Sequence, residues 1–474
     1  MDKKKYFIKN TLVLLLGKIF TQFLSFLLLP LYTSYLTTSE YGVADLISTY
    51  VVFLAPILCL QIESAGFRFL INSRNKEEES YKIIKCILLF SFKILFYLSI
   101  LMLLADYIFK IPYFIYIYLY LILYELYSLN QQFARGLGKN NEYAISSCLY
   151  GFAVIICNLL FIIKCNMGIV GLLLSYIIAC LVSLLFLVYK NRIIHIIFST
   201  KIKNEKNIII KNGLNYSIPL IPSSISWWVL NLSDRTIISY FISAAANGIY
   251  SISNKFSSIY IGIFNIVNLS WTESVSLHID SKDGFLEKLY NILIKFFFTI
   301  LIVIIGIIPI IYPYFIGKNF YSSYYYVPIL LFGSLFNVCF GLTQAIYVGL
   351  KKTKALAKTN IICALINIII NLCLIGFIGI YAAAISTFLA YFMLFIFQYY
   401  DINKYFKIKL ELHSNIPFLI IFVIGIFIYY FNNIYISIIY ICFSLFLLLI
   451  LNIDFVKKLN SIFLKKSSNL IKKL

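Results

Sequence analysis

Ten ionisable side chains fall within or close beside long apolar stretches: Lys18, Lys93, Arg235, Lys255 and Lys295, and Asp45, Glu63, Glu125, Asp234 and Glu273. A charge at the centre of a bilayer costs at least about 2.5–3.5 kcal/mol, so such groups are expected to face a bundle interior or a wet cavity. Helical spacing gathers polar neighbours around several of them. Lys18, Gln22 and Ser25 stack at i, i+4 and i+7. Asp45, Thr49, Pro56 and Glu63 share one face of a span at 43–65, which puts the two carboxylates roughly 27 Å apart at 1.5 Å per residue. Asn231, Asp234 and Arg235 follow a stretch softened by Pro219 and Pro222. Asn254, Ser258, Asn265, Asn268 and Thr272 form a stripe beside Lys255, and Asn360, Asn367 and Asn371 form another. These stripes suggest a hydrated central cleft. Blander roles fit the same residues: Lys18 and Lys255 snorkelling to headgroups, Asp234 and Arg235 as interfacial anchors, the asparagines as interhelical glue, and Glu125, among Tyr116, Tyr120, Tyr124 and Tyr127, as a hydrogen-bonded packing carboxylate.

The elements that position these residues are apolar helices. The chain is 62% hydrophobic with mean hydropathy +0.91, well above soluble norms. About fourteen segments reach the roughly 20 residues a helix needs to span hydrocarbon. Their long, unbroken runs exclude a barrel, whose strands alternate over about ten residues. Of 40 Lys and Arg, 32 fall in alternate gaps and termini, against three, Lys110, Lys164 and Lys318, in the other gaps. The positive-inside rule then places both termini in the cytoplasm. The net charge of +21 flanks helix ends, facing anionic inner-leaflet lipids, which argues against a nucleic-acid partner. Residues 455–473 read as an interfacial helix, and the first segment is too long for a cleaved signal peptide. The ten cysteines contain no CxxC pair, and His195, His278 and His413 lie apart, so no metal centre or disulfide framework is expected.

The chain repeats itself weakly. IKN opens 8–10 and 210–212; Glu40-Tyr41-Gly42 matches Asn247-Gly248-Ile249-Tyr250; Gly136-Leu137-Gly138-Lys139 matches Gly349-Leu350-Lys351-Lys352; and Gly168-Ile169-Val170-Gly171 matches Gly376-Phe377-Ile378-Gly379. The offsets are about 202, 206, 213 and 208. Both copies start inside, which makes a parallel repeat about an axis along the membrane normal, an arrangement transporters use to rock two bundles. The expected organisation is an all-α membrane protein: a six-helix lobe at 1–190, a cytoplasmic linker at 191–212, a second six-helix lobe at 213–400, two added helices at 401–453 and a basic tail at 454–474. No outer gap exceeds about a dozen residues, and no gap holds an acid–base pair, nucleophile constellation or phosphate loop. That counts against an enzyme.

The stretches KNTLVLLLGKIFTQFLSFLLLPLYTSYLTTSEYGVADL at the start, SAGFRFL at 64–70, ARGLGKNNEYA at 134–144 and NYSIPLIPSSISWWVLNLSDRTIISYF at 215–241 with NGIYSISNKF after it carry a family resemblance. The chain resembles the Wzx-type polysaccharide flippases of the MOP exporter superfamily, which also includes MATE exporters and lipid II flippases. The resemblance covers essentially the whole chain. It implies fourteen helices in two six-helix lobes around a cationic cavity. The implied cargo is a polyprenyl-diphosphate-linked oligosaccharide, destined for O-antigen of lipopolysaccharide, capsule or teichoic acid, and moved to the outer leaflet of the bacterial cytoplasmic membrane. Arg68, Asp234, Arg235 and Lys255 fall in matching stretches, so their roles are carried over. On this reading Lys18, Arg68, Arg235 and Lys255 hold the diphosphate. Asp45, Glu63, Glu125 and Asp234 line the cavity or bind a coupling H+ or Na+, with no other cofactor. Gln22, Asn231, Asn254, Asn265 and Asn367 face the sugar. A polysaccharide polymerase and chain-length proteins are implied partners. Three alternatives remain: a MATE-like cation exporter, which should prefer acids to bases in its cleft, a lipid II flippase, and a membrane glycosyltransferase or polymerase.

Overall fold

The computed structural model describes residues 24–451 apart from 75, 201–204, 280–283, 351, 407–411 and 432. Seventeen α-helices carry the described chain, and no strand occurs among the described residues. They are α1 (Leu29–Tyr35), α2 (Thr38–Leu58), α3 (Ile62–Asn72), α4 (Glu77–Phe109), α5 (Phe114–Gly136), α6 (Asn140–Asn158), α7 (Gly168–Lys190), α8 (Ile193–Ser199) and α9 (Glu205–Ser217). After these come α10 (Ile221–Phe241), α11 (Ala244–His278), α12 (Phe285–Phe315), α13 (Val327–Gly349), α14 (Thr353–Ile378), α15 (Tyr381–Ile402), α16 (Leu412–Phe431) and α17 (Ile434–Leu451). Eight are long and apolar enough to cross a membrane by length and composition, and shorter apolar helices accompany them. Taking α2 with α3 as one broken unit and setting α1, α8 and α9 aside leaves thirteen long helical units among the described residues.

Local chemistry explains the helix boundaries. Thr37 caps α2 with a reciprocal box: its Oγ1 accepts from the Glu40 amide (3.2 Å) while Glu40 Oε2 accepts from the Thr37 amide (2.9 Å), satisfying two orphan donors. The expected single span at 43–65 is broken. Pro56 lies in the last turn of α2, and Leu60 and Gln61 adopt left-handed backbone at φ 57° and 50°. Such angles cost about 1–3 kcal/mol for each residue with a side chain. Asp45 and Glu63 therefore do not share one continuous helix face. Pro56 was visible in the sequence, but which residues turn after it was not. In the stretch expected as a cytoplasmic linker at 191–212, α8 packs into the first unit. Ile193 and Ile196 of α8 are buried with Ile62, Ile84 and Phe133, and Lys85 Nζ caps α8 by donating to the carbonyls of Ile197 (2.6 Å) and Thr200 (2.7 Å).

By contact density the chain forms two compact units. One gathers the described residues up to Ile252 with Lys318–Phe320 and Asn371–Ile380; the other takes the remainder. The first unit packs α3, α4, α5 and α8 around Phe133, and α2, α5 and α7 around Tyr120 and Leu187. In the second, Phe332 stacks on Phe388 while Phe422 and Phe336 meet them tilted and edge-on, and Tyr324 and Tyr429 bond reciprocally, each hydroxyl donating to the other's carbonyl (2.7 and 2.8 Å).

The parallel repeat shows in the backbone. α5 ends as Lys139 N–H donates to the Ala134 carbonyl (2.8 Å), and α13 ends as Lys352 N–H donates to that of Tyr347 (2.9 Å). Both are the long bond of a Schellman cap, 213 residues apart. A Cβ on Gly136 would sit 2.7 Å from Leu70, and one on Gly349 2.8 Å from Val275.

Candidate functional site

Two centres of buried charge lie in the first unit. The first forms where the start of α11 crosses α2. A Cβ on Gly42 would fall 1.8 Å from the Ala244 carbonyl oxygen, and one on Gly248 2.1 Å from that of Thr38. Only two glycines allow backbones so close. These are the glycines of the second repeat landmark, so equivalent residues of the two copies meet each other. Asn247 Nδ2 secures the crossing by donating to the Gly42 carbonyl (2.8 Å).

One turn further in, Arg235 of α10 reaches α2. Its Nη1 donates to Asp45 Oδ1 (3.0 Å), Asp45 Oδ2 (2.8 Å) and Thr49 Oγ1 (2.8 Å). Ser251 of α11 adds a bond to Asp45 Oδ2 (2.6 Å). Arg235 and Asp45 side chains are 13% and 7% exposed. Arg235 Nε is buried without a partner, so the guanidinium is held through one nitrogen. Its sequence neighbour Asp234 points elsewhere: it accepts from Tyr250 (2.9 Å) and from Asn371 Nδ2 of α14 (2.9 Å). Tyr50 of α2 and Thr236 of α10 bond through their hydroxyls (2.9 Å), and Phe53 stacks on Trp228 at 4.8 Å.

The second centre is a pair of carboxyl groups. Glu63 opens α3 directly after the left-handed residues, and Glu125 lies halfway along α5. Glu125 is fully buried and Glu63 nearly so. Both Glu125 oxygens and Glu63 Oε2 have no hydrogen-bond partner of acceptable geometry. The two acids and the Cys59 thiol lie near enough to interact electrostatically. A buried ionised carboxylate without a partner is strongly disfavoured, so this pair can hold a proton or a small cation.

The other expected residues disperse. Arg68 is exposed on α3. In the second unit, Lys255, Asn254 and Asn265 are half-buried on α11, and Asn367 is buried, its Nδ2 donating to Thr387 (3.3 Å). Lys18 and Gln22 lie outside the described residues, as does the side chain of Asn231. Lys93, also in an apolar stretch, is exposed on α4 and rests near the Tyr97 ring at 5.9 Å. Sequence reasoning missed Tyr250, Ser251, Asn247 and Asn371 as partners. The offset of 206 was a usable signal, because it carries Gly42 to Gly248 and Asp45 to Ser251.

Helices of this length, apolar on their outsides and with ionisable groups buried within, define a multi-pass membrane protein. The family model described as polysaccharide biosynthesis protein matches residues 7–271, and the chain belongs to that family. No curated protein matches at the level of sequence. Among solved structures, the chain is similar to the lipid II flippase MurJ in its inward closed conformation, with TM-score 0.68 and 15% identity over 95% of this chain and 99% of that one. An inward-facing multidrug resistance MATE transporter of the MOP superfamily gives TM-score 0.63 at 15% identity over 83% and 95%. An outward-facing one gives 0.58 at 15% over 85% and 97%. The chain therefore shares its fold with these membrane proteins.

Proposed function

We propose that the protein is a flippase that carries a polyprenyl-diphosphate-linked oligosaccharide from the inner to the outer leaflet of a bacterial cytoplasmic membrane, with both termini in the cytoplasm. Membership of the polysaccharide biosynthesis family supports the cargo class. The observation that carries the mechanism is Arg235: a guanidinium buried among spans, bound by a single nitrogen to Asp45, with Nε unpartnered. Arg presents a planar fork suited to phosphate oxygens. A diphosphate can take up Arg235 by replacing Asp45 as its counter-ion. Asp45, when the anion displaces it from Arg235, is left as a buried carboxylate that a coupling cation can neutralise. Glu63 and Glu125 supply a second group able to take H+ or Na+. Moving one charge through the membrane potential is worth about 2.3 kcal/mol per 100 mV, enough to bias a two-state cycle. On this reading Asn254 and Asn265 exchange hydrogen bonds with sugar hydroxyls.

The paired acids Glu63 and Glu125 also suit a small-molecule cation exporter, and one experiment separates the readings. Deletion of the gene followed by lipid analysis is expected to show one lipid-linked oligosaccharide accumulating on the inner leaflet, and that lipid names the glycan. In the complemented strain Arg235→Ala should lower translocation at least about tenfold, the effect of losing one charge-assisted bond, and Arg235→Lys should rescue poorly. Normal translocation by a fully expressed Arg235→Ala protein, or no lipid accumulation on deletion, would sink the proposal.

A further inference from the structure

Away from both charge centres, the first unit holds a cavity of about 760 Å³ whose lining includes Arg74, Glu77, Lys139, Lys190, Asn191 and Arg192. It opens at the ends of α3, α5 and α7 and the start of α4, the side that the Lys and Arg excess assigns to the cytoplasm. Four cations from three separate turns converge there against one acid, and that acid, Glu77, already accepts the Tyr81 hydroxyl.

The fold fixes these cations in place. Arg74 donates from Nε to the Gly136 carbonyl (2.7 Å) and from Nη2 to that of Arg135 (2.9 Å), which orients the guanidinium and leaves Nη1 over. Lys139 Nζ donates to the Lys190 carbonyl (2.8 Å). Arg192 holds a left-handed backbone, φ 54° and ψ 36°. Capping the end of α5 accounts for Arg74. It does not account for Lys190, whose Nζ lies 5.6 Å from the Tyr189 ring, or for Arg192, which interacts with Tyr81. Burial pushes the Lys139 ammonium below its ordinary value; Arg192 and Lys190 add to this while Glu142 and Glu77 oppose it. Asn191, also in the lining, is 1% exposed; its Nδ2 donates to the Asn130 carbonyl (3.1 Å) and its Oδ1 has no partner. Preset cations beside an unused acceptor suit an anion that also carries a hydroxyl.

We propose that this cavity binds a phosphate-bearing group at the membrane surface, with Arg74, Lys139, Lys190 and Arg192 around its oxygens and Asn191 accepting from a neighbouring hydroxyl. The ligand is an anionic phospholipid headgroup or a soluble phosphate. Basic pockets between spans on this side are suited to headgroups, and the volume lies within the range of small-ligand sites. The site is independent of the Arg235 centre and of any cargo.

The test uses the full chain in detergent, read by its thermal unfolding midpoint. Phosphatidylglycerol in mixed micelles, against phosphatidylcholine alone, is expected to raise the midpoint, and inorganic diphosphate to compete. Lys190→Gln/Arg192→Gln should bind roughly ten- to a hundredfold more weakly, and Lys190→Arg/Arg192→Lys should bind as the parent does. Lys110→Gln, exposed at the opposite end of α4, should change nothing. Protection by diphosphate alone, with the same dependence on Lys190 and Arg192, assigns the site to a soluble phosphate. The proposal is overturned if neither probe shifts the parent protein, if the glutamine pair binds as tightly, if the charge-keeping pair loses binding while folded, or if Lys110→Gln weakens binding equally. Should the glutamine pair not fold, each single substitution is read against the same outcomes. Translocation assays do not enter, so this site can fail without touching the transport reading, and the reverse.

Discussion

Asp45 accepts hydrogen bonds from Arg235 and Ser251 at 2.6–3.0 Å in a nearly dry setting. A pair so placed gives modest net stability, but losing one partner strands the other charge at a cost of about 3–5 kcal/mol. Asp45→Asn and Arg235→Gln are each expected to lower the thermal unfolding midpoint in detergent clearly, and the double variant to lose much less than the two losses added. Strict additivity would show that the groups do not sense each other. None of this pairing could be read from the sequence: the two residues are 190 positions apart, and helical periodicity reports only the face on which each one lies.

Among the elements, the crossing of α2 with α11 is set by two missing side chains. Gly42→Ala must push the Ala244 carbonyl aside, and overpacking of this kind costs about 1–3 kcal/mol or more. The yield of folded, monodisperse protein should fall. Gly376→Ala in α14 is the matched control, because nothing lies within 4 Å of the position its Cβ would take; it should be neutral or slightly stabilising. Equal behaviour of the two would contradict the close approach. The landmark glycines were legible as landmarks, since repeats preserve backbone requirements. Their contact with each other was not, because a one-dimensional offset says that two places are equivalent and leaves open whether they touch.

For the molecule as a whole, the cation count predicts sidedness. Cys165, exposed after α6, falls in a gap with few basic residues. A variant keeping only Cys165 should react with a membrane-impermeant maleimide in intact cells, while Ser199→Cys, in a cysteine-free background, should react only after permeabilisation. The opposite pattern would invert the topology. The all-helical class and the repeat were legible because hydrocarbon thickness and backbone satisfaction leave few alternatives. Glu63 and Glu125 were each visible as costly acids. Their meeting was hidden, because it depends on a change of direction within one span. That change separates the helix carrying Asp45 from the helix carrying Glu63. Asp45 and Glu63 thus belong to two short segments and not to one long rod, so a distortion at either acid is not handed along an unbroken ladder of backbone bonds to the other.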